Sequence, residues 1–71
     1  MDKEIILREI EKLLEIEPNT ITKDTLLEDV EEWDSMAAVS FLAMCDANFG
    51  KMLNPINLKA CKSFGDLVDL I

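Results

Sequence analysis

Histidine is absent from this sequence, glycine and proline occur only twice each, and aromatic residues make up 6% of it. Each shortage excludes something. Without histidine the chain lacks the side chain whose ordinary titration range suits a general base near neutral pH. With two glycines it has no glycine-rich loop to cradle a phosphate. So few turn-formers and aromatics also argue against a meander of strands. The only cysteines, Cys45 and Cys61, match no metal-ligand spacing, and no histidine could complete one. Two thiols do not make a disulfide framework, so both are expected to be reduced, in a cytoplasmic protein. The opening Met1-Asp2-Lys3-Glu4 lacks the charged-then-apolar pattern of a secretory signal. The longest nearly apolar run, residues 36 to 45, contains Ser40 and is about half the ~20 residues a membrane span needs. No membrane insertion is expected.

What is present points to helices. The 71 residues suit one small domain, 1–71, and 49% of them are apolar, enough for one compact core. Leu, Ile, Met and Ala dominate that fraction, a mix that favours helix. The net charge of −8 is unevenly spread: residues 1–34 hold twelve acids and four bases, and residues 35–71 hold three of each. The stretch 24–34 has six acids and no base. Such a surface repels nucleic acid and attracts proteins with basic patches, although a solubilising acidic face would look the same. Carboxylates are plentiful but fall on faces expected to be solvated, and so short a chain has little room for a water-excluding pocket. Catalysis by this chain alone is not expected.

Ile6, Leu7, Ile10, Leu13 and Leu14 recur at helical spacing, with Glu4, Arg8, Glu11, Lys12 and Glu15 around the rest. They predict a first helix over residues 2–16, roughly 22 Å long and stopped by Pro18. Residues 17–34 are irregular and read as a long connection pinned by Ile21, Leu26, Leu27, Val30 and Trp33. Thr25-Leu26-Leu27-Glu28 has the spacing of a capping box and predicts a short turn there. A second helix starts at Asp34 or Ser35 and ends near Gly50, with Ala38, Val39, Leu42, Ala43, Cys45 and Phe49 as its buried stripe. Asn54-Pro55 marks a turn, a short helix covers 57–61, and Ser63-Phe64-Gly65-Asp66 caps a last helix burying Phe64, Leu67, Val68 and Ile71. The expected fold is all-α: a four-helix bundle of three longer helices and one short one.

Ser35 stands out by position. It follows the acidic connection and opens an apolar helix, so its hydroxyl should be exposed where free backbone N–H groups and the positive dipole end favour an anion. An Asp-Ser pair before a helix is also an ordinary cap, and position alone does not separate the two. The wider context adds to it. Glu28-Asp29-Val30-Glu31-Glu32-Trp33-Asp34-Ser35-Met36 resembles the signature around the modified serine of acyl carrier and peptidyl carrier proteins, an Asp-Ser-Leu core after an acidic loop. The likeness runs along the chain, through Ile16-Glu17-Pro18, Ile21-Thr22-Lys23-Asp24-Thr25, Phe49-Gly50 and the closing stretch from Phe64-Gly65-Asp66 to Ile71.

The resemblance implies a 4′-phosphopantetheine arm joined to Ser35 by a phosphopantetheinyl transferase, using coenzyme A and Mg²⁺. It implies a thioester-bound acyl or aminoacyl cargo, a loading ligase, and a downstream acyltransferase or synthase. It also implies an acyl-carrier-like bundle; a monomer is the default expectation. Asp34 would either cap the helix or help present the serine to the transferase. Met36 stands where the family usually has Leu, and core packing and partner contact are both open to it. Trp33 is expected to anchor the loop, and Cys45 to be a small core residue; Cys61 is left open between core and surface. Glu32 stands where glycine is common. Carriers of fatty acid synthesis usually display several acids along the second helix, whereas here that stretch is Ala37-Ala38-Val39-Ser40-Phe41, with Asp46 the only acid later on. A dedicated partner docking through Met36, Ser40, Phe41 and Met44 is therefore expected, with Glu31 and Glu32 of the acidic loop adding attraction. The alternative outside this class is an unmodified acidic helical module that binds a basic protein.

Overall fold

A computed structural model describes residues 2–71. Helix α1 spans Lys3–Leu14, α2 Ser35–Phe49, α3 Pro55–Ala60 and α4 Phe64–Val68, with a 3₁₀ turn at Leu27–Asp29 in the long connection. The all-α four-helix expectation holds. The last helix has only five residues, so the bundle has two long helices and two short ones.

Local chemistry explains the element ends. Asp2 accepts the Glu4 N–H and starts α1. The helix stops at Leu14, before Pro18 can act, because Glu15 turns into the left-handed region at φ 59°. The N–H groups of Glu15 and Ile16 then close on the carbonyls of Lys12 and Glu11, which satisfies carbonyls left over at the helix end. At twelve residues α1 is roughly 18 Å long. Asn54-Pro55 is a helix start and not a separate turn: Asn54 accepts the Ile56 N–H, and Pro55 takes the first helical position, where its missing N–H costs nothing. Ser63 and Asp66 form the expected reciprocal box, and the Lys62 and Ser63 N–H groups donated to the Asp66 carboxylate hold its pKa below the usual range. Thr25 forms no such box. Its hydroxyl accepts the Thr22 N–H at 2.9 Å, and the 3₁₀ turn begins without a side-chain cap.

The core gathers around α1, which packs on both α2 and α4. Ile6, Leu7, Ile10 and Leu14 meet Ile21, Leu27, Phe41, Cys45, Phe64, Leu67 and Val68. The expected face of α2 is wrong by part of a turn. Ala37, Phe41 and Cys45 are its buried residues, while Val39 is 62% exposed and Ala43 is exposed. Ala38, Leu42 and Phe49 are partly buried as flanks. This helix is apolar nearly all round, so its spacing gives no sharp face, and the bulk of Phe41 decides which side turns inward.

Glu11 is the main correction on α1. Expected on the solvated side, it is 1% exposed. Its Oε1 lies 2.7 Å from Arg8 Nε, at contact distance but off the N–H direction, so these two buried atoms satisfy one another by charge. Its Oε2 accepts the Ile21 N–H at 3.1 Å, and Arg8 Nη2 donates to the Ile21 carbonyl at 3.0 Å. Arg8 also donates to the Asn19 side chain. One ion pair on α1 thus grips both polar groups of a buried residue in the connection.

Further along, the connection pairs with the α3–α4 junction. Gly65 N–H donates to the Lys23 carbonyl, Phe64 N–H to that of Thr25, and Leu27 N–H to that of Lys62, at 2.9–3.0 Å. Gly65 is required there, since a Cβ would sit 2.6 Å from the Lys23 carbonyl oxygen.

Glu11→Ala should leave Arg8 short of its partner and the Ile21 N–H unpaired. Because Arg8 keeps partial access to water, the expected loss is about 3 kcal/mol, the low end for a broken buried pair. A urea midpoint that does not move would contradict it. Burial pushes the Cys45 thiol up to about 11, and Cys61 is raised less, by burial and then by the Asp66 charge. A thiol reagent at about pH 8 should therefore modify Cys61 in the native protein and reach Cys45 only after unfolding. Equal native rates for both would refute that assignment.

Candidate functional site

The site is built where the connection becomes α2. Trp33 sets its position: the indole lies edge-on to Phe41 at 5.8 Å and to Phe64 at 5.7 Å between ring centres. Such edge contacts add to the burial of the ring itself. Trp33 is the expected loop anchor, and it ties the residue two before Ser35 to both α2 and α4.

Asp34 is the N-cap. Its backbone is extended, and its carboxylate accepts the Ala37 N–H at 2.8 Å. The Ala38 N–H returns to the Asp34 carbonyl at 3.0 Å. Ser35 occupies the first helical position and is exposed. Its hydroxyl is not spent on capping. The Ser35 and Met36 amides belong to the first turn, whose N–H groups find no acceptor within the helix. An exposed hydroxyl beside unpaired amide donors and the positive end of a fifteen-residue helix fits a covalently attached phosphodiester.

Two depressions flank this point, and Asp34 lines both. On the α1 side, a hollow of about 300 Å³ is lined by Leu13, Leu14, Glu15, Glu32, Asp34, Met36, Ala37 and Ser40. Of the residues expected to meet a partner, it brings together Glu32, Met36 and Ser40. Met36 is 74% exposed, which removes core packing from its two options. Glu31 is exposed but outside this lining, and Met44 is half-buried against the core. Phe41 does not belong to the docking set: it is fully buried, and its ring serves Trp33.

On the other side, a groove of about 510 Å³ runs between α2 and α3. Trp33, Asp34, Ser35, Ala38, Val39 and Leu42 form one wall, with Pro55, Leu58 and Lys59 opposite. Val39 and Lys59 went unrecognised as site residues. The all-apolar α2 hid which way Val39 faces, and no sequence signal brings Lys59 near Ser35. Another hollow, lined by Leu26, Leu27, Glu28, Cys61 and Lys62, includes none of the residues at the α2 start. Among the described residues no three acids or cysteines gather as a metal ion would need, and no helix is long and apolar enough to cross a membrane.

Comparison with known proteins agrees with this geometry. The fold is similar to that of a holo acyl carrier protein from Geobacter metallireducens, solved by solution NMR, with a TM-score of 0.80 at 22% identity. The match covers 99% of this chain and 82% of that one. No curated protein matches the sequence significantly. Residues 4–71 match the family described as the phosphopantetheine attachment site, and the chain belongs to that family: it is a carrier of covalently bound phosphopantetheine, not an enzyme.

Proposed function

We propose that this chain is an acyl carrier protein modified on Ser35, handling acyl or aminoacyl thioesters for one dedicated biosynthetic pathway. The observation that supports Ser35 most directly is the division of roles at the start of α2, where Asp34 caps the helix and the neighbouring hydroxyl stays exposed. In the loading reaction, Ser35 Oγ bonds to the phosphorus next to pantetheine, the hydroxyl proton leaves, and the adenosine 3′,5′-bisphosphate half of coenzyme A departs. A phosphopantetheinyl transferase with Mg²⁺ carries this out. When bound, phosphopantetheine supplies a terminal thiol that holds the cargo as a thioester. The carrier's own contribution is tethering, which turns encounters between enzymes and cargo into local reactions of high effective concentration.

The dedicated pathway is supported by the surface of α2. Its only acid is Asp46, and it exposes Met36 and Val39 instead of a row of carboxylates. A partner would meet Met36 with an apolar contact and Ser40 with a polar one, reach Met44 at its edge, and be drawn by Glu31 and Glu32. The partners in sequence are the transferase, a loading ligase and an acyltransferase or synthase.

Two outcomes are expected. Intact-protein mass spectrometry after incubation with coenzyme A, Mg²⁺ and a broad-specificity transferase should show a gain of one phosphopantetheine, absent in Ser35→Ala. That variant should keep its fold at a cost of about 1 kcal/mol or less, because Asp34 is the cap, whereas Asp34→Ala should itself cost about 1 kcal/mol. A folded protein that gains no mass with several transferases would overturn the Ser35 reading. Second, binding to general fatty acid synthase enzymes should be much weaker than that of a carrier with an acidic second helix. Equal affinity would remove the dedicated pathway.

A further inference from the structure

Residues 51–62 have the opposite chemistry from the rest of the chain. They hold three lysines and no acid, while all fifteen acids and the other four bases lie outside them. Lys51, Lys59 and Lys62 are exposed, and among the described residues the ion pairs use Lys3, Arg8 and Lys12 instead. Lys62 is partly balanced, because it favours the charged form of the Asp66 carboxylate and shares a hollow with Glu28. Lys59 shares its groove with Asp34, and Lys51 is the freest of the three.

Two strongly exposed apolar side chains lie among these lysines. Met52 is 89% exposed and Ile56 72%. Leu58 is the buried residue of α3, and Ile56, two positions earlier, lies about 200° around the helix axis, facing away from the core. Lys59 is one turn on from Ile56, with about 5–6 Å between their Cβ atoms. Met52 is four residues before Ile56, so their Cα atoms are at most about 14 Å apart. The covalent chain alone therefore keeps Lys51, Met52, Ile56 and Lys59 within one small contact area. Neither apolar side chain holds the segment down; Leu53, Leu58 and Cys61 do that against the core.

We propose that the surface of Lys51, Met52, Ile56 and Lys59 docks an acidic protein segment, one that sets carboxylates on either side of an apolar side chain. Met52 and Ile56 cover the apolar side chain, and the lysines meet the carboxylates. This contact is opposite in sign to the one at Glu32 and Met36, so partners of two kinds use separate faces. An anionic membrane fits less well. A bilayer spreads its charge over a plane that the whole molecule, with its net charge of −8, must approach. A protein segment acts locally: charges are screened beyond about 8 Å at cellular ionic strength, and the molecule measures 25 × 22 × 19 Å. Such a segment answers mainly to the charges it touches.

The test titrates the unmodified chain, by amide NMR, with a synthetic helical peptide of Glu, Leu and Ala. The control is the same peptide with Lys in place of Glu. The Glu peptide is expected to move the resonances of Lys51, Met52, Ile56 and Lys59, and the Lys peptide is not. Lys51→Glu with Lys59→Glu should weaken binding about tenfold, each exposed pair being worth about two- to fivefold. Ile56→Ser should weaken it by about the same factor. All these side chains are exposed, so the variants should keep the fold, which circular dichroism checks. No shift in this stretch at millimolar peptide, or unchanged binding by the charge-reversed variant, would overturn the proposal. Co-sedimentation with phosphatidylglycerol vesicles, lost in that variant while the peptide fails to bind, would assign the surface to a membrane and overturn it. Shifts that grow with the concentration of the protein alone would assign it to a second copy of the chain, with the same result. Because the protein is unmodified throughout, none of these outcomes bears on the mass gain at Ser35.

Discussion

The Arg8–Glu11 pair is the contact on which the placement of the site depends. A connection of twenty residues between α1 and α2 has much freedom to lose, and apolar side chains alone would pin it loosely. The pair takes both the N–H and the carbonyl of Ile21, so that residue is fully buried with no polar group left over. From Ile21 the chain is held again at Lys23, Thr25 and Leu27 by the α3–α4 junction, and then at Trp33 by two aromatic rings. Each hold narrows the choices of the next. By Asp34 the backbone arrives extended and ready to cap a helix. Removing the carboxylate of Glu11 would loosen the first of these holds, although it lies far along the chain from Ser35.

Charge and apolar surface are separated along the sequence, and the fold turns that separation into geometry. The acidic excess precedes α2, while α2 and α3 carry one acid and one base between them. Ser35 stands at the boundary. A partner approaching from the α1 side meets carboxylates around an apolar centre, and the groove on the α3 side offers apolar walls and a lysine. The start of α2 thus has two different neighbourhoods.

The four helices, the Ser63 cap, the role of Trp33 and the exposure of Ser35 were legible because each rests on local chemistry. Caps, prolines and apolar spacing act over a few residues. The errors came where tertiary packing decides. Glu11 was read as solvated because its charge hides a buried role that requires Arg8 and Ile21 together. Phe41 was assigned to the surface because α2 is apolar nearly all round, and its inward place follows from its bulk and its packing with the Trp33 ring in the core. Thr25 had the spacing of a cap but spent its hydroxyl on Thr22. Lys59 was invisible because it shares a groove with Ser35 only through the tertiary fold and through no pattern along the chain.

The order Asp34-Ser35 matters more than the presence of a serine at a helix start. A serine at the N-cap itself would have its hydroxyl oxygen engaged by a backbone N–H, and modification would remove the cap each time the arm was attached. One step later, the hydroxyl is exposed and takes no part in the cap, in the first turn with its free donors. The cap then comes from a carboxylate that cannot be modified in the same way, and it stays in place in both forms. The added negative charge falls at the favourable end of the helix dipole. A group joined to the Ser35 hydroxyl would leave the cap of α2 intact. Ser63 provides the contrast within the same molecule: it is the cap of α4, its oxygen accepts the Asp66 N–H, and it is only partly exposed. Two serines begin two helices, and their positions relative to the cap leave the hydroxyl of Ser35 free and engage that of Ser63.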